Sequence, residues 1–167
     1  MIISLVKSKA FIKTSAFVLL LAIAVFVPLL KQQIITGSIV NAVLFISTAY
    51  LGIAAGIMIG FLPSLFSAMS GLLPIPLLPM IPYIILSNAI LVVCFGLLRK
   101  RNYIFSVITA SFIKFLFLFS ASSYIVSFFI KKPLPTPIII MMSWPQLVTA
   151  LIGGLLAYVV LKKICTI

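Results

Sequence analysis

Read as apolar and polar positions, the chain is a series of long hydrophobic runs divided by short clusters of lysine, arginine or proline. A membrane-spanning helix needs about 20 mainly apolar residues, within roughly 17–25. On that scale a first span covers residues 14–30, behind a leader holding Lys7, Lys9 and Lys13. Ala22-Ile23-Ala24 resembles a signal-peptide cleavage site, but the apolar run continues through Val25, Phe26 and Val27, which predicts a retained helix. Residues 36–70 are uncharged and too long for one span, and Gly52 divides them into 36–51 and 53–70. Further spans follow at 83–98, 103–130 and 145–161. Between the third and fourth lies GLLPIPLLPMIP, residues 71–82, with prolines at 74, 76, 79 and 82. That proline density argues against regular helix. The segment is nevertheless apolar, which predicts burial against protein or a place over a cavity. The pattern as a whole predicts one domain: an all-α integral membrane protein, a six-transmembrane-helix bundle.

Charge orients the bundle. With both termini cytoplasmic, Lys7, Lys9, Lys13, Arg99, Lys100, Arg101, Lys162 and Lys163 lie inside, and Lys31, Lys131 and Lys132 outside. Eight cations against three satisfies the positive-inside rule. The net charge of +12 therefore reflects membrane lipids as partners. It does not form the basic stripe with interleaved aromatics that a nucleic-acid surface requires, so no nucleic-acid partner is expected.

Composition then removes most chemistry. The chain is 65% hydrophobic with 7% charged residues, and it contains no Asp, Glu or His. The usual general acids and bases are missing. No ligand set exists for zinc, haem or an iron–sulfur cluster, since Cys94 and Cys165 stand far apart. Neither a metal nor an organic cofactor is expected, and no enzymatic activity. The one loophole is a lysine activating a serine, Lys114 with Ser87 or Ser120, and nothing in the local sequence supports that pair.

Lys114 is the informative residue. It sits in FIKFLFLFSASS, residues 112–123, near the middle of the fifth span, in a chain with no carboxylate to pair with it. An unpaired charge at the centre of a span costs about 2.5–3.5 kcal/mol. Three readings follow: a cavity that receives an anionic or electron-rich ligand, hydrogen bonding to freed carbonyls or to Asn88, or snorkelling toward the headgroups. Depth favours the first. Asn41, Asn88, Ser120, Trp144, Gln146 and Thr149 fall in the outer half of their helices, and Gln33 and Thr36 approach from the first loop. A few convergent polar groups in apolar walls are what a small-molecule site requires. Each also has an ordinary explanation, as interhelical glue for the asparagines or an interfacial anchor for Trp144.

On the third span Gly52, Gly56, Gly60, Ser64 and Ala68 recur every four residues. Such a stripe admits another helix closely, either within the bundle or from a docked subunit. The order TGSIVNAVLFI (36–46), IGFLPSLFSAMSGLLPIPLLPMIPYIILSNAILV (59–92) and SWPQLVTALIGGLLAY (143–158) resembles the substrate-binding S component of an energy-coupling factor (ECF) transporter. The resemblance implies a bundle in a prokaryotic plasma membrane that captures a vitamin-like or other small nutrient on its outward side. It also implies partners: a transmembrane T component and cytoplasmic ATPases. The pocket it implies involves Gln33, Thr36, the 71–82 loop, Asn88, Lys114, Trp144 and Gln146. The family often docks its T component on an alanine-x-x-x-alanine face of helix one, whereas this chain has Ala16, Ala22 and Ala24. The runner-up is a membrane scaffold subunit without transport, which predicts no cavity beside Lys114. For the ligand, a lysine without a counter-charge favours a carboxylate or phosphate, with a hydrogen-bonding heterocycle as the alternative.

Overall fold

The computed structural model describes residues 2–69, 75–125 and 136–164. Its helices are α1 (Ile2–Phe26), α2 (Gln33–Tyr50), α3 (Ile53–Met69), α4 (Ile81–Leu98), α5 (Tyr103–Ser120), the short α6 (Thr136–Met141) and α7 (Trp144–Ile164). Six of these are long, and the fold is an all-α membrane bundle. Five segments among the described residues are long and apolar enough to cross a bilayer. The remaining long helix, α3, has only a shorter apolar stretch, Ile53–Phe66.

Local sequence explains the boundaries. Gly52 has φ +105°, a left-handed conformation that glycine adopts without a Cβ penalty, and it separates α2 from α3. Asn102 starts α5, its side-chain oxygen accepting from the Phe105 amide at 3.0 Å. The proline-rich segment differs from the irregular loop its composition suggests. Residues 75–80 form a 3₁₀ helix that runs directly into α4. Pro82 lies in the first turn of α4, where a missing N–H costs no hydrogen bond. Residues 70–74 of that segment lie outside the described residues, as do 126–130 of the expected fifth span and the Lys131–Pro135 loop. At its C-terminal end α5 widens into a π turn, Ala121–Ile125. The sequence pattern also gave no hint of α6, a single turn and a half that precedes α7.

Glycine governs the closest helix pair, α2 against α7. A Cβ on Gly153 would fall 2.8 Å from both the Ala42 amide nitrogen and the Ser38 carbonyl oxygen. A Cβ on Gly37 would meet Thr149 at 3.0 Å. These pairings, Gly37 with Thr149 and Asn41 with Gly153, show that α2 and α7 run parallel. On the other side of α7, Gly154 faces Val107 of α5, and its carbonyl accepts from the Tyr103 hydroxyl at 2.8 Å.

The two ends of the bundle differ. At one end Phe45, Phe95, Tyr103 and Tyr158 form a chain of edge and tilted ring contacts, with centroids 4.8–5.5 Å apart. Arg99 caps α2 there, donating to the Ala49 carbonyl at 2.7 Å, where a cation suits the helix C-terminus. Lys9, Lys13, Lys100, Arg101, Lys162 and Lys163 gather at the same end. At the opposite end, where the bundle opens, Lys31 is the one cation among the described residues.

Replacing Gly153 with alanine forces a backbone shift at the tightest crossing. The expected cost is about 1–3 kcal/mol, read as a lower midpoint in thermal unfolding of detergent-solubilised protein. An unchanged midpoint would contradict the close α2–α7 packing.

Candidate ligand site

The site begins with Lys114 on α5. Its side chain is 3% exposed, and the ammonium donates to Asn41 Oδ1 at 2.7 Å and to Asn88 Oδ1 at 2.8 Å. An ammonium has three donors and no acceptor, so each asparagine must turn its oxygen toward it. The two amide NH2 groups then point away and need acceptors of their own. Asn41 Nδ2 donates to Thr149 Oγ1 on α7 at 3.4 Å, and Asn88 Nδ2 to the Gly60 carbonyl of α3 at 3.3 Å. Thr149 in turn donates to the Gln146 carbonyl at 3.1 Å. One buried cation thus fixes the orientation of groups on α2, α3, α4 and α7. Short bonds from a charged donor are about twice as strong as neutral ones.

Gly60 makes this geometry available. A Cβ there would lie 3.1 Å from Asn88 Cβ, so the bare backbone is what lets the asparagine approach its carbonyl. Gly56 likewise faces Thr48 and Val92. The small-residue stripe of α3 is therefore directed at α2 and α4 inside the bundle at these two positions. Gly52, expected in the same stripe, serves the turn, with nothing within 4 Å of where its Cβ would be.

Above this network lies a cavity of about 590 Å³, with Lys114, Asn41 and Asn88 among its lining. That volume falls in the 300–1,000 Å³ range of small-molecule sites. Ala24, Val40, Leu77, Ile81 and Ile84 supply apolar wall, and the 3₁₀ helix 75–80 stands at its edge through Leu77. Gln33 and Gln146 complete the rim, both donating to the Met141 carbonyl of α6 at 2.8 and 3.1 Å. Thr36 also lines the cavity and donates to the Val27 carbonyl at 3.3 Å. Lys31, with φ 53°, stands at the mouth beside Gln32. Two cations and several amides thus face the cavity, and the chain has no carboxylate to oppose them.

Six of the eight residues expected to bind ligand line this one cavity: Lys114, Asn41, Asn88, Gln33, Thr36 and Gln146. Ser120 and Trp144 do not. Ser120 is exposed on α5, and Trp144 is 59% exposed at the start of α7. Pro63, Ser64, Ser87 and Met141 line the cavity without having been foreseen. Of these, Pro63 carried a legible signal, because a proline inside an apolar helix frees a backbone carbonyl. Ala16 and Ala22 are half-buried on α1 and do not line this cavity.

The family model for the ECF transporter, substrate-specific component, matches residues 15–164. The chain belongs to that family. No curated protein and no solved structure matches it. As an ECF substrate-specific component it is a multi-pass, substrate-binding subunit of a transporter, a transport role and not a catalytic one. Membership brings a small-molecule substrate and, as partners, a T component and ATPase subunits.

Removing one arm of the network strands part of a buried charge. Asn88→Leu is expected to cost about 1.5–3 kcal/mol, the value of a hydrogen bond to a charged group. Adding Lys114→Met to it should recover part of that loss, giving a coupling energy in a double-mutant cycle of detergent unfolding. Strict additivity of the two substitutions would show that the pair does not interact.

Proposed function

We propose that this S component captures an organic anion, a vitamin-like nutrient carrying a carboxylate or phosphate, and does so from outside a prokaryotic cell. The observation that carries the reading is the state of Lys114. Its two amide partners occupy two of three ammonium donors, and no third acceptor lies within hydrogen-bond distance among the described residues. The ammonium borders an open cavity in a chain without a single acidic side chain. An acidic oxygen from a ligand completes the donor set and balances the charge in a low-dielectric setting. Asn41 and Asn88 hold the ammonium in place before the ligand arrives, which lowers the ordering cost of binding.

Direction follows from charge. The cavity mouth, at Pro28, Lys31 and Gln32, lies at the end opposite the basic cluster of Lys9, Lys13, Arg99 and Lys163. By the positive-inside rule that basic end is cytoplasmic, so the cavity faces outward and the subunit serves import. T component and ATPases then act from the membrane and the basic side.

Purified protein should release a small acidic molecule on denaturation, detected by mass spectrometry. Lys114→Met should bind that molecule about 10- to 150-fold more weakly, the equivalent of one hydrogen bond to a charged group. A scaffold subunit would release nothing, and Lys114→Met would change only its stability.

A further inference from the structure

Hydrogen-bond direction divides the polar cavity into a donating floor and an accepting rim. At the floor the Lys114 ammonium can only donate. Nearer the mouth the balance reverses. Gln33 and Gln146 each give a side-chain N–H to the Met141 carbonyl, which can only accept, so both amides are fixed with nitrogen toward α6. Neither amide oxygen accepts a hydrogen bond among the described residues. The hydroxyls follow the same rule. Thr36 spends its one hydrogen on the Val27 carbonyl, and Ser64 and Ser87 spend theirs on the carbonyls of Gly60 and Ile84. A hydroxyl that turned to donate into the cavity would give up its present bond, so each presents lone pairs instead. All five side chains line the cavity. Even with the second hydrogen on each amide nitrogen, they offer five oxygens against two N–H groups.

Depth sets the two halves apart. Gln33 precedes Asn41 by eight residues on α2, roughly 12 Å at 1.5 Å per residue. On the parallel α7, Thr149 is level with Gly37 and Gly153 with Asn41, so Gln146 stands near the level of Gln33. The pairs Gly56 with Thr48 and Gly60 with Leu44 make α3 antiparallel to α2. Ser64 therefore lies one turn from Gly60 toward the mouth, about 6 Å. Resting on the reading of this cavity as an anion site, we propose that its ligand is an elongated acid whose body carries neutral N–H or O–H donors. The acidic oxygen takes the third donor of Lys114, and the ligand's own donors meet the oxygens of the walls and rim. A plain aliphatic acid would strip water from those oxygens and leave them unpaired, at about 1–3 kcal/mol for each. A cationic donor is disfavoured, because Lys31 stands at the mouth and the chain has no carboxylate to offset it. Carboxamides, amino-substituted heterocycles and polyols, each bearing one acidic group, have this chemistry.

The test is calorimetric titration of the purified full chain with three probes of equal length. Suberamate has a carboxylate at one end and a carboxamide at the other. 8-Oxononanoate replaces only the amide NH2 with methyl, and octanamide replaces only the carboxylate. Suberamate is expected to bind roughly 10-fold more tightly than 8-oxononanoate, the equivalent of one or two hydrogen bonds, and more tightly than octanamide as well. Gln33→Met and Gln146→Met should each reduce the preference for suberamate over 8-oxononanoate roughly threefold. They lie on different helices, so either still reads the rim where the other fails to fold. Lys114→Met should weaken both acids alike and leave their ratio unchanged. Equal binding of the two acids, with both still dependent on Lys114, overturns the proposal and leaves the anion reading standing. A preference unmoved by both glutamine substitutions, or no binding of suberamate, overturns it too. Octanamide held as tightly as suberamate removes the acid, and with it the reading on which the proposal rests.

Discussion

A single cation inside an acid-free bundle is the constraint on which the rest of this structure depends. Lys114 cannot form an ion pair, so its charge is met by the oxygens of Asn41 and Asn88 at 2.7 and 2.8 Å. Because an ammonium only donates, both amides are forced into one orientation, and each must then find an acceptor on a further helix. Thr149 on α7 and the Gly60 carbonyl on α3 fill those places. The polar network thus sets the mutual register of five helices, with the glycines of α3 and α7 supplying the close approach that it needs. In hydrocarbon, where lipid offers helices no competing hydrophobic drive, such directional contacts carry much of the specificity.

The same network is the floor of a cavity, and this dual position ties stability to binding. A lysine satisfied on every side would be a structural residue only. Here it keeps one donor over for the cavity, while Gln33 and Gln146, held on the Met141 carbonyl, steady the rim. The cavity is lined by apolar side chains together with these amides and Lys114, so on the proposed reading an acidic group would enter a site whose polar atoms are already held in place. On that reading, charge complementarity and preorganisation, more than contact area, would determine which molecules are retained.

Much of this was legible in the sequence, and the reasons differ by element. Run lengths and the break at Gly52 follow from bilayer thickness and backbone freedom, which is why the six-helix bundle could be read directly. The depth of Asn41, Asn88 and Lys114 in their spans could be counted along each helix, so their convergence was accessible too. Helix rotation was not. Ser120 and Trp144 lie at suitable depths but face outward, because depth leaves the angle around each helix axis undetermined. For the same reason the α3 stripe could be seen, but not the fact that Gly56 and Gly60 face α2 and α4. Carbonyl acceptors such as those of Gly60 and Met141 are backbone groups and carry no side-chain signal. The 3₁₀ helix at 75–80 shows a further limit: proline excludes most helical positions but suits the entry to a helix.

The most direct test of the central claim is an experimental structure of the chain purified from native membranes in a nanodisc. The account predicts ligand density in the cavity above Asn41 and Asn88, with an acidic oxygen within about 3 Å of Lys114 Nζ, the distance of a charge-assisted hydrogen bond. A cavity closed by side chains, or an ammonium whose third donor is capped by the protein's own backbone, would contradict it.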